Sequence, residues 1–217
     1  MHFSKILPLS LFALAAAASP QARSPGLDEV AAVFKKEGVV PNVLSSFKPV
    51  AYLYETYKLA NGTYKTVLPN TPLAREDTQA IPEFSVKVDA TATPWATTKK
   101  FVLAIVDPDA PSRETPTRGQ IRHLLATDVL AGSASTRVEG ARTLSFPVSP
   151  VSPYRGPSPP AGSGYHRYIS LLYAQPPKLD ISFLDVANVS NWNVEDFAKK
   201  AGLGEPLAGT FFIAQVL

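Results

Sequence analysis

The chain has no cysteine among its 217 residues. Thiol catalysis is therefore excluded, and core packing alone, without disulfides, must hold the fold. Histidine is scarce, with three in the whole chain. No apolar run approaches the roughly 20 residues that cross a bilayer, so no transmembrane segment is expected. The formal charge is only +3. Lysine and arginine never cluster, so the sequence does not predict a nucleic acid surface. There is no Gly-x-x-x-x-Gly-Lys loop and no dinucleotide fingerprint, and no cofactor is expected. Two histidines and an aspartate could ligate zinc, but an HExxH run and close histidine spacing are both missing, and no metal is expected. A serine hydrolase needs a serine beside a base. No Gly-x-Ser-x-Gly elbow occurs, and Ser163 in Gly-Ser-Gly-Tyr-His is only a superficial match.

The first residues read as a targeting segment. Lys5 gives a positive start, Ile6 to Ala18 is apolar but short, and Ala16-Ala17-Ala18 supplies small residues for cleavage. Residues 1–18 are therefore predicted to be a signal peptide and 19–217 a single domain, which places the protein in the secretory pathway. Two sequons, Asn61-Gly-Thr63 and Asn188-Val-Ser190, are candidate glycosylation sites.

Periodicity predicts a mainly β fold. Leu27 to Lys36 reads as an amphipathic helix with Leu27, Val30, Ala31 and Phe34 on one face and Gly38 as its stop. Pro41 to Pro49 reads as a connecting loop. Ala51 to Leu59 and Tyr64 to Leu68 read as strands joined at Asn61-Gly62. Phe84 to Val88 alternates as a half-buried strand, while Phe101 to Val106 is continuously apolar and reads as a central strand ending at Asp107. Ile121 to Thr127, Arg142 to Phe146, Tyr168 to Ala174 and Thr210 to Val216 are further strands. Asn193 should cap a helix from Val194 to Lys200, closed by Gly202. Many short strands between turns rich in Pro and Gly indicate a β-sandwich or barrel with a few peripheral helices.

Two segments carry the candidate chemistry. Asp107-Pro-Asp-Ala-Pro-Ser-Arg113 follows the central strand. Gly156-Pro-Ser-Pro-Pro-Ala-Gly-Ser-Gly-Tyr-His-Arg-Tyr168 follows about fifty residues later. Asp107 could fix the tautomer of a neighbouring histidine, although Asp-Pro-Asp is also ordinary turn chemistry. Asp109 and Arg113 read as structural braces of that loop. His123 points away from Arg122 if the segment is a strand, and His166 and Tyr168 share a face. Two histidines, a tyrosine hydroxyl and an aspartate would make a compact, donor-rich pocket suited to an anion.

Together these residues resemble the phosphatidylethanolamine-binding protein family. The matching parts are Asp107-Pro-Asp-Ala-Pro111, His123-Leu-Leu125 and Gly164-Tyr-His-Arg-Tyr168. Phe197-Ala-Lys-Lys, Leu203 and Pro206-Leu-Ala-Gly-Thr-Phe211 match the family's ending. The resemblance implies a large antiparallel sheet packed on a smaller one, with an anion pocket at one end. It puts Asp107, His123, Pro160, His166 and Tyr168 at the pocket positions, with Ser158 on a wall where glycine is frequent. Ile121-Arg122-His123 replaces the frequent Trp-His-His, which removes an aromatic wall and places a cation nearby. The chain stops soon after the last strand, so a C-terminal helix over the pocket is not expected and the pocket should be more open.

Three functions fit this reading. The protein binds a small anionic ligand, such as phosphate, a phospholipid headgroup or a dicarboxylate. Alternatively, it assists anhydride coupling in fungal polyketide biosynthesis of the maleidride type, as some family members do. A third possibility is inhibition of a serine carboxypeptidase, as in a yeast member.

Overall fold

In a computed structural model, residues 25–88 and 100–217 are described. The predicted signal peptide lies outside them. Helix α1 (Leu27–Lys36) forms as expected, with Val30 and Phe34 buried. The Gly26 N–H donates to the Glu29 carboxylate at 2.9 Å. Asp28 and Glu29 sit in the first turn and Lys35 and Lys36 in the last, complementing the helix dipole. The Pro41 to Pro49 region is not all loop, because a short turn α2 (Val39–Asn42) occupies its start. Val40 within it is extended (φ −103°, ψ 124°), as the residue before a proline prefers.

The strands are β1 (Ala51–Lys58), β2 (Tyr64–Thr66), β3 (Thr71–Pro72), β4 (Glu83–Val88), β5 (Phe101–Asp107), β6 (Ile121–Ala134), β7 (Arg142–Ser145), β8 (His166–Ala174) and β9 (Ala208–Ala214). A 3₁₀ turn, Arg75–Thr78, precedes β4, and helix α3 (Val194–Lys200) precedes β9. The strands form one curled sheet in the order β2-β1-β4-β7-β6-β5-β8-β9-β3. Among the described strand pairs only β3–β9 is parallel, and an isolated parallel bridge joins Ala161 to Val216. The expected large sheet on a smaller one is thus realised as two halves of a continuous sheet.

Strand β6 belongs to both halves. Ile121 to Val129 pairs with β5, and Leu130 to Ala134 pairs with β7. The transition falls at Asp128, whose φ is +55°. There the register jumps from Leu103↔Ala126 to Phe101↔Val129. Such a bulge bends a strand and lets it change sheets. Asp128 is held in this conformation by Lys100 Nζ at 2.6 Å and Gln175 Nε2 at 3.0 Å.

β5 is buried along its whole length because both of its faces are covered. Val102, Ala104 and Val106 join a cluster with Phe34 of α1 and Phe197 of α3. Phe101, Leu103 and Ile105 join the other, with Leu53, Phe84, Val86 and Leu144 of the opposite half. Each buried aromatic or aliphatic side chain contributes about 1.5–3 kcal/mol. α1 lies close over β9, where Gly209 leaves room: a Cβ there would stand 3.0 Å from Phe34 Cζ. α3 is capped by Asn193, whose side chain accepts from the Asp196 N–H at 2.8 Å.

Candidate functional site

The ends of three adjacent strands, β6, β5 and β8, meet at one end of the sheet. Asp107 ends β5, His123 lies near the start of β6, and His166 and Tyr168 open β8. Ile105 pairs with Leu124 and Val106 with Arg122, so His123 is the extra residue of a bulge. Arg122 and His123 still take opposite sides, as strand alternation has it, Arg122 toward Trp192 and His123 toward Tyr168. Gly119 lets the loop after Asp107 close tightly, since a Cβ there would run into the Pro108 carbonyl.

Both carboxylate oxygens of Asp107 are engaged. Oδ2 receives His166 Nδ1 at 2.8 Å, and Oδ1 receives the Asp109 N–H at 2.7 Å. The turn role and the tautomer-fixing role weighed for this residue therefore coexist. His166 Nε2 faces Ser163 Oγ at 3.1 Å. His123 Nδ1 donates to the Arg155 carbonyl at 2.7 Å, which leaves its Nε2 as the unprotonated position of the neutral ring. The His123 and Tyr168 rings meet edge to face at 5.1 Å, and Tyr168 stacks on Phe212 at 5.0 Å.

All four groups are enclosed: His123 is 7% exposed and Asp107, His166 and Tyr168 are 3% or less. The site is more enclosed than the sequence suggested. Burial lowers the pKa of both imidazoles, yet their net shifts are opposite. It lowers the pKa of His123, and the Arg155 carbonyl and the Asp107 charge offset this only in part. It also pulls His166 down, but the hydrogen bond and charge of Asp107, with the charge of Asp109, reverse the sign and raise it. Burial, then the charges of Asp107 and Asp109, push the Tyr168 phenol well up, so it stays a neutral donor. Its hydroxyl is buried and makes no hydrogen bond among the described residues.

The sequence profile of the phosphatidylethanolamine-binding proteins matches residues 60–212. The chain belongs to this family. It is 29% identical over 208 residues to the carboxypeptidase Y inhibitor of Saccharomyces cerevisiae, which covers 84% of this chain and 93% of the relative. Its structure matches that of a carboxypeptidase Y inhibitor complexed with its cognate proteinase, at a TM-score of 0.74 and 25% identity, over 88% of this chain and 97% of that one. The phosphatidylethanolamine-binding protein of Plasmodium vivax shares the fold at a TM-score of 0.60 and 16% identity, covering 90% and 100% of the two chains.

The other predicted positions sit outside this cluster. Asp109 takes Arg167 in a forked pair, from Nε at 2.8 Å and Nη2 at 2.5 Å, and also accepts the Arg167 N–H at 2.9 Å. Arg113 and Arg167 both donate to the Glu37 carbonyl, tying the Asp107 loop to the end of α1. Ser158 is exposed and lines a neighbouring cleft of about 760 Å³ with Arg75, Pro159 and Tyr165. The Pro160 carbonyl accepts from the Ser163 hydroxyl at 2.6 Å. Asn61 and Asn188 are exposed on loops.

One placement needs correction. Arg122 does not bring a cation to the pocket. It faces the other side of the sheet, where its Nε donates to Ser152 Oγ at 2.7 Å and its guanidinium lies over Trp192 at 5.1 Å. Two other arginines supply positive charge instead. Arg155 is close enough to His123 to lower its pKa, and Arg75 acts on the Tyr168 phenol. The sequence signal for Arg155 was its position immediately before the Gly156–Tyr168 run. Ser163 was legible as His166's neighbour at i−3, but its contact with Nε2 needed the turn geometry. Among the described residues, no group of His, Asp or Glu gathers as a metal site. No helix among them is long and apolar enough to cross a membrane.

Proposed function

We propose that this family member is secreted and that its Asp107, His123, His166 and Tyr168 site binds a small anion, a phosphate or a carboxylate. The observation that carries the reading is the Tyr168 hydroxyl, a buried donor without a partner among the described residues, on a ring that meets His123 edge to face. An unpaired buried donor costs about 1–3 kcal/mol, which an anionic acceptor would relieve. A charged His166 strengthens the interaction, and Arg155 and Arg75 add favourable potential at the rim. Titration calorimetry with inorganic phosphate tests this at about pH 5 and about pH 8, on either side of an ordinary histidine pKa. Binding should be at least about tenfold tighter at the lower pH, and His166→Ala should weaken it and flatten the difference. Equal affinity at both pH values, or an unchanged profile in His166→Ala, would remove the site from consideration.

The near-full-length match to the carboxypeptidase Y inhibitor favours a second reading, that the surface binds a serine carboxypeptidase. Peptidase assays with increasing amounts of the protein distinguish it. Saturable inhibition supports the reading, and full activity at a large excess rejects it.

A further inference from the structure

The hydrogen-bonded pair of Asp107 and His166 continues past the imidazole. Asp107 Oδ2 lies 2.8 Å from Nδ1, and Ser163 Oγ lies 3.1 Å from Nε2 on the far side of the ring. Carboxylate, imidazole and hydroxyl therefore stand in the order by which a serine gives up its proton. His166 is buried, whereas Ser163 is half-buried. Ser163 sits between Gly162 (φ +73°) and Gly164 (φ +77°), at the crest of a turn that glycine permits. A Cβ at either glycine would meet nothing within 4 Å, so the flanks of the serine are open. The Gly164 N–H engages no acceptor among the described residues. It is the amide directly after the serine, where a donor to a developing oxyanion is needed. The cleft lined by Ser158, Tyr165 and Arg75 begins beside the same loop.

We propose that Ser163 is an acyl-accepting nucleophile toward small carboxylic esters, with His166 as its base and Asp107 as the residue that positions the ring. This activity shares Asp107 and His166 with the anion site but does not depend on anion binding. The Ser163 hydroxyl proton has two acceptors within reach, His166 Nε2 and the Pro160 carbonyl at 2.6 Å. Rotation about the Cβ–Oγ bond moves it from one to the other. With the proton toward His166, Oγ bonds to the ester carbonyl carbon and the proton passes to Nε2. The carbon–oxygen bond to the leaving alcohol then breaks, and Nε2 returns the proton to that alcohol. Water reverses the sequence: its oxygen bonds to the acyl carbon, a proton goes through His166 to Ser163, and a free acid leaves.

The test uses the full secreted chain and p-nitrophenyl acetate. The expected result is a stoichiometric burst of p-nitrophenolate, with an acetyl group on Ser163 in the digested, quenched protein. Ser163→Ala should lose the burst while still binding phosphate, which separates this claim from the anion-binding reading. Asp107→Asn should acylate roughly a hundredfold more slowly. An unmodified Ser163 in the wild-type protein, or an equal burst from Ser163→Ala, would overturn the proposal and leave Ser163 as a brace of the Pro160 turn. The wild-type adduct is decisive even if a variant folds poorly.

Discussion

His166 and His123 share one site, yet their environments drive their charge states apart. Asp107 sets this difference, since it contacts one ring directly and the other only through space. The folded-state pKa of His166 is raised, so its contribution to stability is present in full below the ordinary value of about 6.5. That contribution is lost as pH rises through the raised value. His123 acts in the opposite sense. Its pKa is lowered, so folding is penalised as pH falls below about 6.5, where the unfolded chain takes up a proton that the folded one refuses. Asp107→Asn keeps the shape and the bond to the Asp109 N–H but removes the charge facing His166. It should cost about 2 kcal/mol at about pH 5 and clearly less at about pH 8. Urea unfolding at the two pH values measures this, and a loss that is equal at both would mean His166 does not charge in the folded protein.

At the scale of elements, the site is held by what surrounds it. The Asp107 loop is anchored by the fork between Asp109 and Arg167, both nearly fully buried, and by two arginine bonds to the end of α1. Asp109→Ala would leave the Arg167 guanidinium buried with only the Glu37 carbonyl. It should cost about 4 kcal/mol in urea unfolding, and a loss below about 1 kcal/mol would show that the fork is dispensable. Elements with a clean period were legible in the sequence. α1 and α3 have the predicted bounds because apolar spacing, acidic first turns and basic last turns agree. β5 was legible because a strand covered on both faces must be apolar throughout. β6 was not legible beyond Thr127. Asp128 and Gly132 are turn residues by local preference, and only pairing with β5 and β7 makes them strand. The Asn61-Gly62 turn was legible, but Lys58 pairs with Tyr64, so the loop spans five residues rather than a tight pair. β3 and the Arg75–Thr78 turn are too short to carry a period. In the site, the convergence of Asp107, His166 and Tyr168 followed from motifs. The side of Arg122 opposite to His123 followed from strand alternation, but its partners there, Ser152 and Trp192, did not, because they lie far along the chain.

At the scale of the whole molecule, the curled sheet encloses one carboxyl group with an incomplete set of partners. Glu55 of β1 is buried, and only its Oε2 receives a bond, from Tyr57 OH at 3.1 Å; Oε1 has no hydrogen-bond partner among the described residues. Burial pushes its pKa from 4.5 to about 7, against the smaller opposing effects of Ser170 and Tyr57. The folded chain therefore holds a proton that the unfolded chain releases, and stability should fall as pH rises between those two values. The loss approaches about 3 kcal/mol. Glu55→Gln should flatten that slope in thermal or urea unfolding, and a wild-type slope retained in the variant would place its origin elsewhere. The anion site meets a more direct test in the imidazole resonances of the folded protein. These would be titrated with and without inorganic phosphate and assigned through His123→Ala and His166→Ala. His166 should titrate above the ordinary value and His123 below it, and phosphate should raise both. Two rings that titrate together, or that ignore phosphate, would contradict the account.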